Sequence, residues 1–476
     1  MPKPLSIVWF RQDLRIHDNP ALNAAAEHGA LLPIYILDDV NAAQWAMGGA
    51  SRAWLHHSLT ALNHSLDGKL LVFAGNARTI IQRLIEEQEV AAVFWNRCYE
   101  PWRIQRDSLI KQDLQEAGVN SRSFNASLLW EPWEVAKKDG TPYRVFTPFY
   151  QKGCRQAPAP RQPLAPPTQL HYHDVEISFA QSLQSLALLP AKLNWHETLC
   201  KHWEIGEHSA SKQLEQFCNE RIPDYKRARD FPAIDATSRL SPHLHFGEIS
   251  PHQLWHRIEH LATQGAAEGP SHFLREIAWR EFSYHLMYHF PQLPEANFNP
   301  KFDGFEWRED SASLAVWQRG QTGFPIIDAG LRELWQTGYM HNRVRMIVAS
   351  FLIKNLLIHW RYGADWFWDC LVDADLASNS ASWQWCAGSG ADAAPYFRIF
   401  NPLLQSEKFD PEGHYLLRYC PELGGLPKRL RHQPWQASDE QLSQAGIRLG
   451  IDYPHPMIDL KVTRERALER FKALSR

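Results

Sequence analysis

Cysteine is scarce and unpatterned in this chain: seven among 476 residues, with no CxxC pair. An odd, scattered set excludes a disulfide framework and predicts reduced thiols in a cytoplasmic protein. No run reaches 18 apolar residues, which excludes a membrane-spanning helix. The opening stretch "MPKPLSIVWFRQDLR" has no long apolar core behind a basic tip and reads as no signal peptide. Positive charge is not in excess. The net charge of -3 argues against a generally basic nucleic-acid binder. A local basic face stays open, because binding depends on the field at one surface and not on the total. Internal repeats are absent. No G-x-G-x-x-G follows the first strand pattern; "FRQDLR" stands there, so a standard dinucleotide site is not expected.

What is present is ordinary for a globular protein, with 44% hydrophobic and 22% charged residues. The length suggests two or three domains. Tryptophan is the outlier, with 20 copies. For most of them a large aromatic core is explanation enough.

The first 131 residues alternate short apolar runs with helical patterns. "LSIVWF", "LLPIYIL", "KLLVFAG", "AAVFWN" and "RSFNASLLW" predict five strands. "NPALNAAAEHG", "SRAWLHHSLTALNHSL", "NARTIIQRLIEEQ" and the stretch from Trp102 to Gly118 predict helices between them. That order predicts a parallel α/β sheet with ligands at the carboxyl ends of its strands. "NRCYEPWRIQRD", with Trp102 and Arg103, lies at one such end. Residues 132–200, with "RQAPAPRQPLAPPTQ", read as a linker. The "HYH" at 171–173 has no further ligands near it and predicts no metal site. From 201 onward the pattern is helical.

Two stretches carry polar residues where helices should bury them. "MHNRVRMIVASFLIKNLLIHW" predicts one helix from Met340 to Trp360, with Asn342, Arg345, Met346, Ala349, Ile353, Leu356 and Trp360 on one face. Trp360, 18 residues after Asn342, would share its azimuth about 27 Å along the axis. An arginine on that face needs a carboxylate, and Asp373 or Asp375 in "DADLASNSASWQW" is a candidate. A structural salt bridge and a polar lining for a planar ligand both fit. "ATSRLSPHLHFGEISP" offers hydroxyls and amides at a helix start, a weak signal for a phosphate cradle that is shared with many N-caps.

These stretches, with "VWFRQDLRIHDNPAL", "REIAWREFSYHL", "TGFPIIDAGLREL" and "DADLASNSASWQWCAGSGADAAPYFRIFNP", resemble the photolyase/cryptochrome family along nearly the whole chain. The resemblance implies a Rossmann-like five-stranded parallel α/β domain for an antenna chromophore at 1–131, and an all-α FAD-binding and DNA-repair domain at 201–476. By the same resemblance Tyr225 and the loop Thr237, Ser238, Arg239, Leu240 and Ser241 contact the FAD pyrophosphate and ribose. Glu276, Arg280, Asn342, Arg345, Asp373 and Asp375 lie at the flavin, with Arg345 and Asp373 paired, and Asn379 faces flavin N5. Trp383, Trp360 and Trp307 match an electron-hopping chain. Trp279 and Trp385 match the walls of a pocket for a flipped pyrimidine dimer, whose lost stacking they replace. Glu276 matches the acid that hydrogen-bonds the dimer. Arg229, Arg280, Arg343, Arg398, Gln405 and Lys408 match the DNA rim.

The branch is also implied. Relatives that repair (6-4) lesions have histidines where this chain has Asn342 and Met346. Plant-type receptors usually replace Met346 and the tryptophan walls and add a signalling tail, whereas this chain ends at Arg476 soon after its last helix pattern. The wording resembles class III cyclobutane-dimer photolyases. That implies a light-driven carbon–carbon lyase acting on dimer-containing DNA as a monomer. It also implies methenyltetrahydrofolate as antenna ahead of a deazaflavin or FMN. The alternative is a blue-light receptor without repair activity.

Overall fold

The computed structural model describes residues 3–264, 268–393 and 397–474. Two compact units emerge. The first comprises the chain up to Pro223, Ser238–Pro291 and Val372–Ala377. The second comprises Asp224–Thr237, Gln292–Leu371 and the chain from Ser378.

In the first unit, five parallel strands stand in the order β3-β2-β1-β4-β5: β1 Leu5–Phe10, β2 Ala30–Leu37, β3 Leu71–Ala74, β4 Val90–Asn96 and β5 Asn120–Phe124. Alternate residues feed opposite faces, as strand geometry requires. Val8 and Phe10 join Trp54, Leu55 and Leu59. Ile7 and Trp9 join Ile81, Leu84, Ile110 and Leu114. Helices α1 (Pro20–His28) and α2 (Gly49–Ser65) supply the first cluster; α3 (Ala77–Glu87) and α4 (Pro101–Glu116) supply the second. Both faces are covered, which is why the strands read as continuous apolar runs.

The fifth strand is shorter than its apolar run. It ends at Phe124 because the Asn125 side chain accepts from the amides of Ser127 and Leu128 at 3.3 and 3.0 Å, a local turn that competes with the ladder. The proline-rich stretch is not a detached tether. Tyr172 bridges to Leu31 of β2, beyond the end of β3, and Gln181 bridges to Val72 of β3, so the stretch runs along that edge of the sheet.

The later part of the first unit includes α5 Ser241–Phe246, α6 Pro251–Thr263 and α7 Glu268–His289. Gly247, at φ +68, lets α5 end against the loop after β1. A Cβ there would lie 2.1 Å from the Gln12 carbonyl oxygen. Leu14 donates its amide to the Phe246 carbonyl at 3.1 Å.

The second unit is helical: α8 Pro325–Thr337, α9 Asn342–Ser350, α10 Trp360–Cys370, α11 Leu376–Ala387 from Ser378 on, α12 Pro402–Phe409 and α14 Leu460–Ala473, with α13 His414–Tyr419 between the last two. The single helix expected from Met340 to Trp360 is instead two. After α9 the chain makes a π turn, Phe351–Asn355, and Leu357 takes a left-handed conformation at φ +58. Histidines cap both segments. His341 accepts from the Arg343 amide and His359 from the Arg361 amide, each at 3.2 Å. Tertiary partners take the freed groups: Asn355 donates to Thr463 at 3.1 Å and accepts from Arg466 at 2.7 Å. Trp360 therefore opens a new helix and does not share the azimuth of Asn342.

Candidate functional site

In the first unit, α7 presents Glu276, Trp279, Arg280 and Tyr284 at i, i+3, i+4 and i+8, one face of a helix. Glu276 is half-buried, with His272 3.9 Å away. Trp279 stacks on Phe146 with ring centroids 3.7 Å apart and planes 8° from parallel. Arg280 turns inward. It donates to the Ser127 carbonyl at 2.8 Å and to Glu281 at 3.2 Å, and its side chain is 14% exposed. The guanidinium is thus largely enclosed by these partners.

The turn before α11 holds the two acids. Ser241 donates its hydroxyl to Asp373 at 2.6 Å. Tyr284 donates its hydroxyl to Asp375, and His245 lies 4.0 Å from the same carboxylate. Burial pushes the Asp375 carboxyl up, but His245, Arg280 and the Tyr284 hydroxyl together outweigh it. The group sits well below the usual carboxylate range and stays charged. Neither Tyr284 nor His245 was among the sequence candidates. Tyr284 had a signal, its helical register with Glu276 and Arg280; His245 had none. The loop before α5 is held by Gln213, which donates to the Ser238 carbonyl at 2.8 Å, and by Ser238, which accepts from the Leu240 amide at 3.3 Å. Arg239, at φ +52, lays its guanidinium 4.5 Å from the Trp203 ring centroid.

Glu281 is a third residue the sequence reading missed. It is buried and accepts from the amides of Leu129 and Trp130 at 2.8 and 3.5 Å. Burial pushes its carboxyl up to about 7, against the pull of Arg280 and the two amides. A carboxyl raised in the fold contributes stability that is complete below its unfolded value and lost as pH rises through about 7. Burial lowers His285, His341 and His359 to about 4, which raises stability over part of the same range. The Glu281 contribution is therefore read as a difference: in urea unfolding between pH 5 and 8, wild type should lose on the order of 3 kcal/mol relative to Glu281→Gln. A constant difference across that range would remove Glu281 as its source.

In the second unit, Asn342 is exposed at the start of α9, and Met346 lies half-buried with its sulfur 4.0 Å from the Arg343 guanidinium. Arg343 is paired with Asp230 at 2.9 Å. Arg345 donates to the Met340 carbonyl at 2.6 Å and lies 5.2 Å from the Tyr339 ring. Arg229 sits 5.2 Å over the ring of the buried Tyr225, and Thr237 is half-buried. The Asn379 amide nitrogen donates to the Ala364 carbonyl at 3.0 Å, which leaves its oxygen as an acceptor. Trp385 donates its indole N–H to the Asp392 carbonyl at 3.2 Å. Arg398 and Lys408 are exposed and Gln405 is half-buried.

The tryptophans of this unit follow α10. Trp360 is 1% and Trp383 3% exposed, and Trp307 is half-buried. Trp360 donates its indole N–H to Asn297 at 3.1 Å. The His359 ring lies 5.1 Å from Trp307 and 5.4 Å from Trp360. Trp383 packs on Phe367 at 4.9 Å and over Gly363, where a Cβ would come within 2.1 Å of the indole. Three rings widely separated in sequence thus gather around one helix and its cap.

At the carboxyl ends of the strands, the crevice where strand order reverses is filled by an ionic network. Arg11 meets Asp107 at 2.5 Å; Arg106 meets Asp107 at 2.9 Å and Asp38 at 3.2 Å. Beside it Trp102 lies under Arg103 and Arg106, 4.6 and 5.0 Å from their guanidinium carbons, and Arg103 pairs with Glu100 at 3.3 Å.

The family profile described as DNA photolyase matches residues 6–168. The one described as FAD binding domain of DNA photolyase matches residues 273–473. A deoxyribodipyrimidine photo-lyase from Agrobacterium fabrum is 48% identical, over 99% of this chain and 98% of its own. Cryptochrome-1 from Arabidopsis thaliana is 36% identical over 98% of this chain and 70% of its own. A crystal structure of a bacterial class III photolyase from Agrobacterium tumefaciens superposes with a TM-score of 0.95, covering 100% of this chain and 98% of that one. An archaeal photolyase from Sulfolobus tokodaii, solved with two FAD molecules, superposes at 0.81 with 29% identity, over 98% of this chain and 100% of that one. With both profiles matched and these relatives aligned over nearly the whole of this chain, the chain belongs to the photolyase/cryptochrome family.

Proposed function

We propose that this protein is a deoxyribodipyrimidine photo-lyase of the class III kind, which repairs cyclobutane pyrimidine dimers in DNA with light. The observation that carries the reading is the face of α7 that presents Glu276 and Trp279. A half-buried carboxyl, Glu276, stands one turn from an indole, Trp279, whose other face is backed by Phe146. Such a wall suits a flipped dimer that must replace its lost stacking. Trp385 is the second wall. Glu276 hydrogen-bonds the dimer and its radical anion. Asn342 and Met346 offer no imidazolium and commit the pocket to cyclobutane lesions.

FAD would be held by Tyr225, Thr237–Ser241, Asn342, Arg345, Asp373, Asp375 and Asn379, with Arg280 and Glu276 adjoining. The donor set fits: Asp375 is charged and largely enclosed, and the amide oxygen of Asn379 is left to accept a hydrogen bond from a protonated ring nitrogen. A reduced FAD held by these residues would supply light-driven one-electron chemistry to the dimer, with blue light taken up directly or through an antenna. The chain excludes water, orients the dimer and provides the acid. The antenna is methenyltetrahydrofolate near Trp102 and Arg103; a deazaflavin, FMN or a second FAD are the other chromophores to test. By role, residues 1–131 serve the antenna, 132–200 connect, and 201–476 serve flavin and DNA. A cytoplasmic monomer completes the reading. No helix among the described residues is long and apolar enough to cross a membrane.

The test is the absorption spectrum of the purified protein together with blue-light repair of matched oligonucleotides. Yellow protein that clears cyclobutane dimers but not (6-4) lesions is expected. Yellow protein that repairs neither would favour the receptor reading, which the Arabidopsis relative keeps in view.

Two further outcomes are expected. Glu276→Ala should keep its flavin and lose repair quantum yield several-fold; full yield, or loss of colour, would refute its role. Affinity for a dimer-containing duplex should fall with salt despite the net charge, with a slope in log–log form of roughly -0.9 for each phosphate met by Arg229, Arg343, Arg398 or Lys408. A flat salt response would mean the basic rim lies elsewhere.

A further inference from the structure

Lys354 lies in the π turn Phe351–Asn355 that follows α9. It is 5% exposed. Among the described residues, the ionisable groups that face it are the Cys386 thiol of α11 and the Arg398 guanidinium; neither is a carboxylate. Arg466 of α14 reaches the neighbouring Asn355 carbonyl instead. A buried ammonium without a counter-ion is costly and calls for a specific partner. Its partner is main chain. Lys354 donates to the Arg398 carbonyl, with its nitrogen 4.8 Å from the Phe397 ring centroid. One turn earlier, Ser350 accepts from the Phe400 amide at 3.3 Å. Residues 350 and 354 thus grip the segment from Phe397 to Phe400 from one helical side. Phe397 is buried among Phe302, Phe305 and Leu357, while Arg398 is exposed with its guanidinium carbon 5.3 Å from the Phe400 ring.

We propose that Lys354 is a positioning residue for DNA binding: it clamps the main chain beneath Arg398 and so sets the direction in which that guanidinium leaves the surface. The inference rests on the reading above of Arg398 as a phosphate contact. Burial lowers the lysine to about 8, helped by Arg398 and opposed by Cys386. The charged clamp is complete below that pH and weakens above it, because a neutral amine is the poorer donor. DNA affinity therefore gains a pH dependence from a group that never touches DNA.

The experiment measures affinity for a dimer-containing duplex over a salt series, at pH 7 and pH 9, in four proteins: wild type, Lys354→Met, Arg398→Ala and the double variant. For Lys354→Met the expected slope is shallower by about 0.9, with affinity at 0.1 M salt down roughly ten-fold and flavin content unchanged. Arg398→Ala should match it, and the double variant should add nothing. Wild type should show the shallower slope at pH 9, and Arg398→Ala should show no such change. This pH arm stands even if Lys354→Met fails to fold. A purely structural lysine would alter stability but leave the salt slope alone. An unchanged slope in Lys354→Met, or a wild-type slope equal at the two pH values, overturns the clamp while the DNA reading survives. A wild type that binds no dimer-containing DNA overturns both.

Discussion

Trp360→Phe is expected to keep its flavin and to lose photoreduction in the presence of an external reductant. The indole is 1% exposed on the first turn of α10, beside the His359 ring that also meets Trp307. Trp383 packs against the same helix at Gly363. Phenylalanine fills most of the space, but it is much harder to oxidise than an indole. An electron hole leaving the flavin would find no station there. The substitution also removes the donor to Asn297 and leaves a small void, for about 1–3 kcal/mol of stability. Two measurements separate the effects. Flavin reduction under blue light should stop. Repair by chemically pre-reduced enzyme should continue, since that electron never uses the chain. Photoreduction at the normal rate would return Trp360 to plain core packing.

Asp375→Ala is expected to give a colourless, destabilised protein. The carboxylate is largely enclosed and charged, and it accepts from Tyr284 while facing His245 and Arg280. Its removal strands a 4%-exposed tyrosine hydroxyl and unbalances a buried guanidinium, a loss of about 3–5 kcal/mol. Flavin retained on purification should fall roughly ten-fold or more, where each ten-fold corresponds to about 1.4 kcal/mol. Asp375→Asn separates the two contributions. It can still accept from Tyr284 but carries no charge, so it should recover part of the melting temperature and little of the flavin. A yellow Asp375→Ala protein with wild-type melting would place the flavin contact elsewhere.

Much of the fold was legible without coordinates, because its signals are local. Continuous apolar runs between helical patterns marked four of the five parallel strands to within about two residues. Glu276, Trp279 and Arg280 share a face of α7 by register alone. Their type and spacing also identified the family. Other features escaped because they depend on partners far along the chain. The break after Ser350 keeps the apolar period intact and is stabilised by Thr463 and Arg466, more than a hundred residues away. Arg280 reads as a surface cation until Ser127 and Glu281 are seen to enclose it.

The sequence by itself determined which residues are present at helical or strand spacing, and hence the parallel sheet, the helical remainder and the family. Only the tertiary structure decided what each polar group does. Tyr284 and His245 hold Asp375 charged, Glu281 titrates near neutrality, and Lys354 spends its charge on the Arg398 carbonyl. The physical reason is one of range. Periodicity records how a side chain is directed by its own helix or strand. The protonation and orientation of a buried group are set by desolvation and by whichever charges and carbonyls the fold brings within a few ångströms.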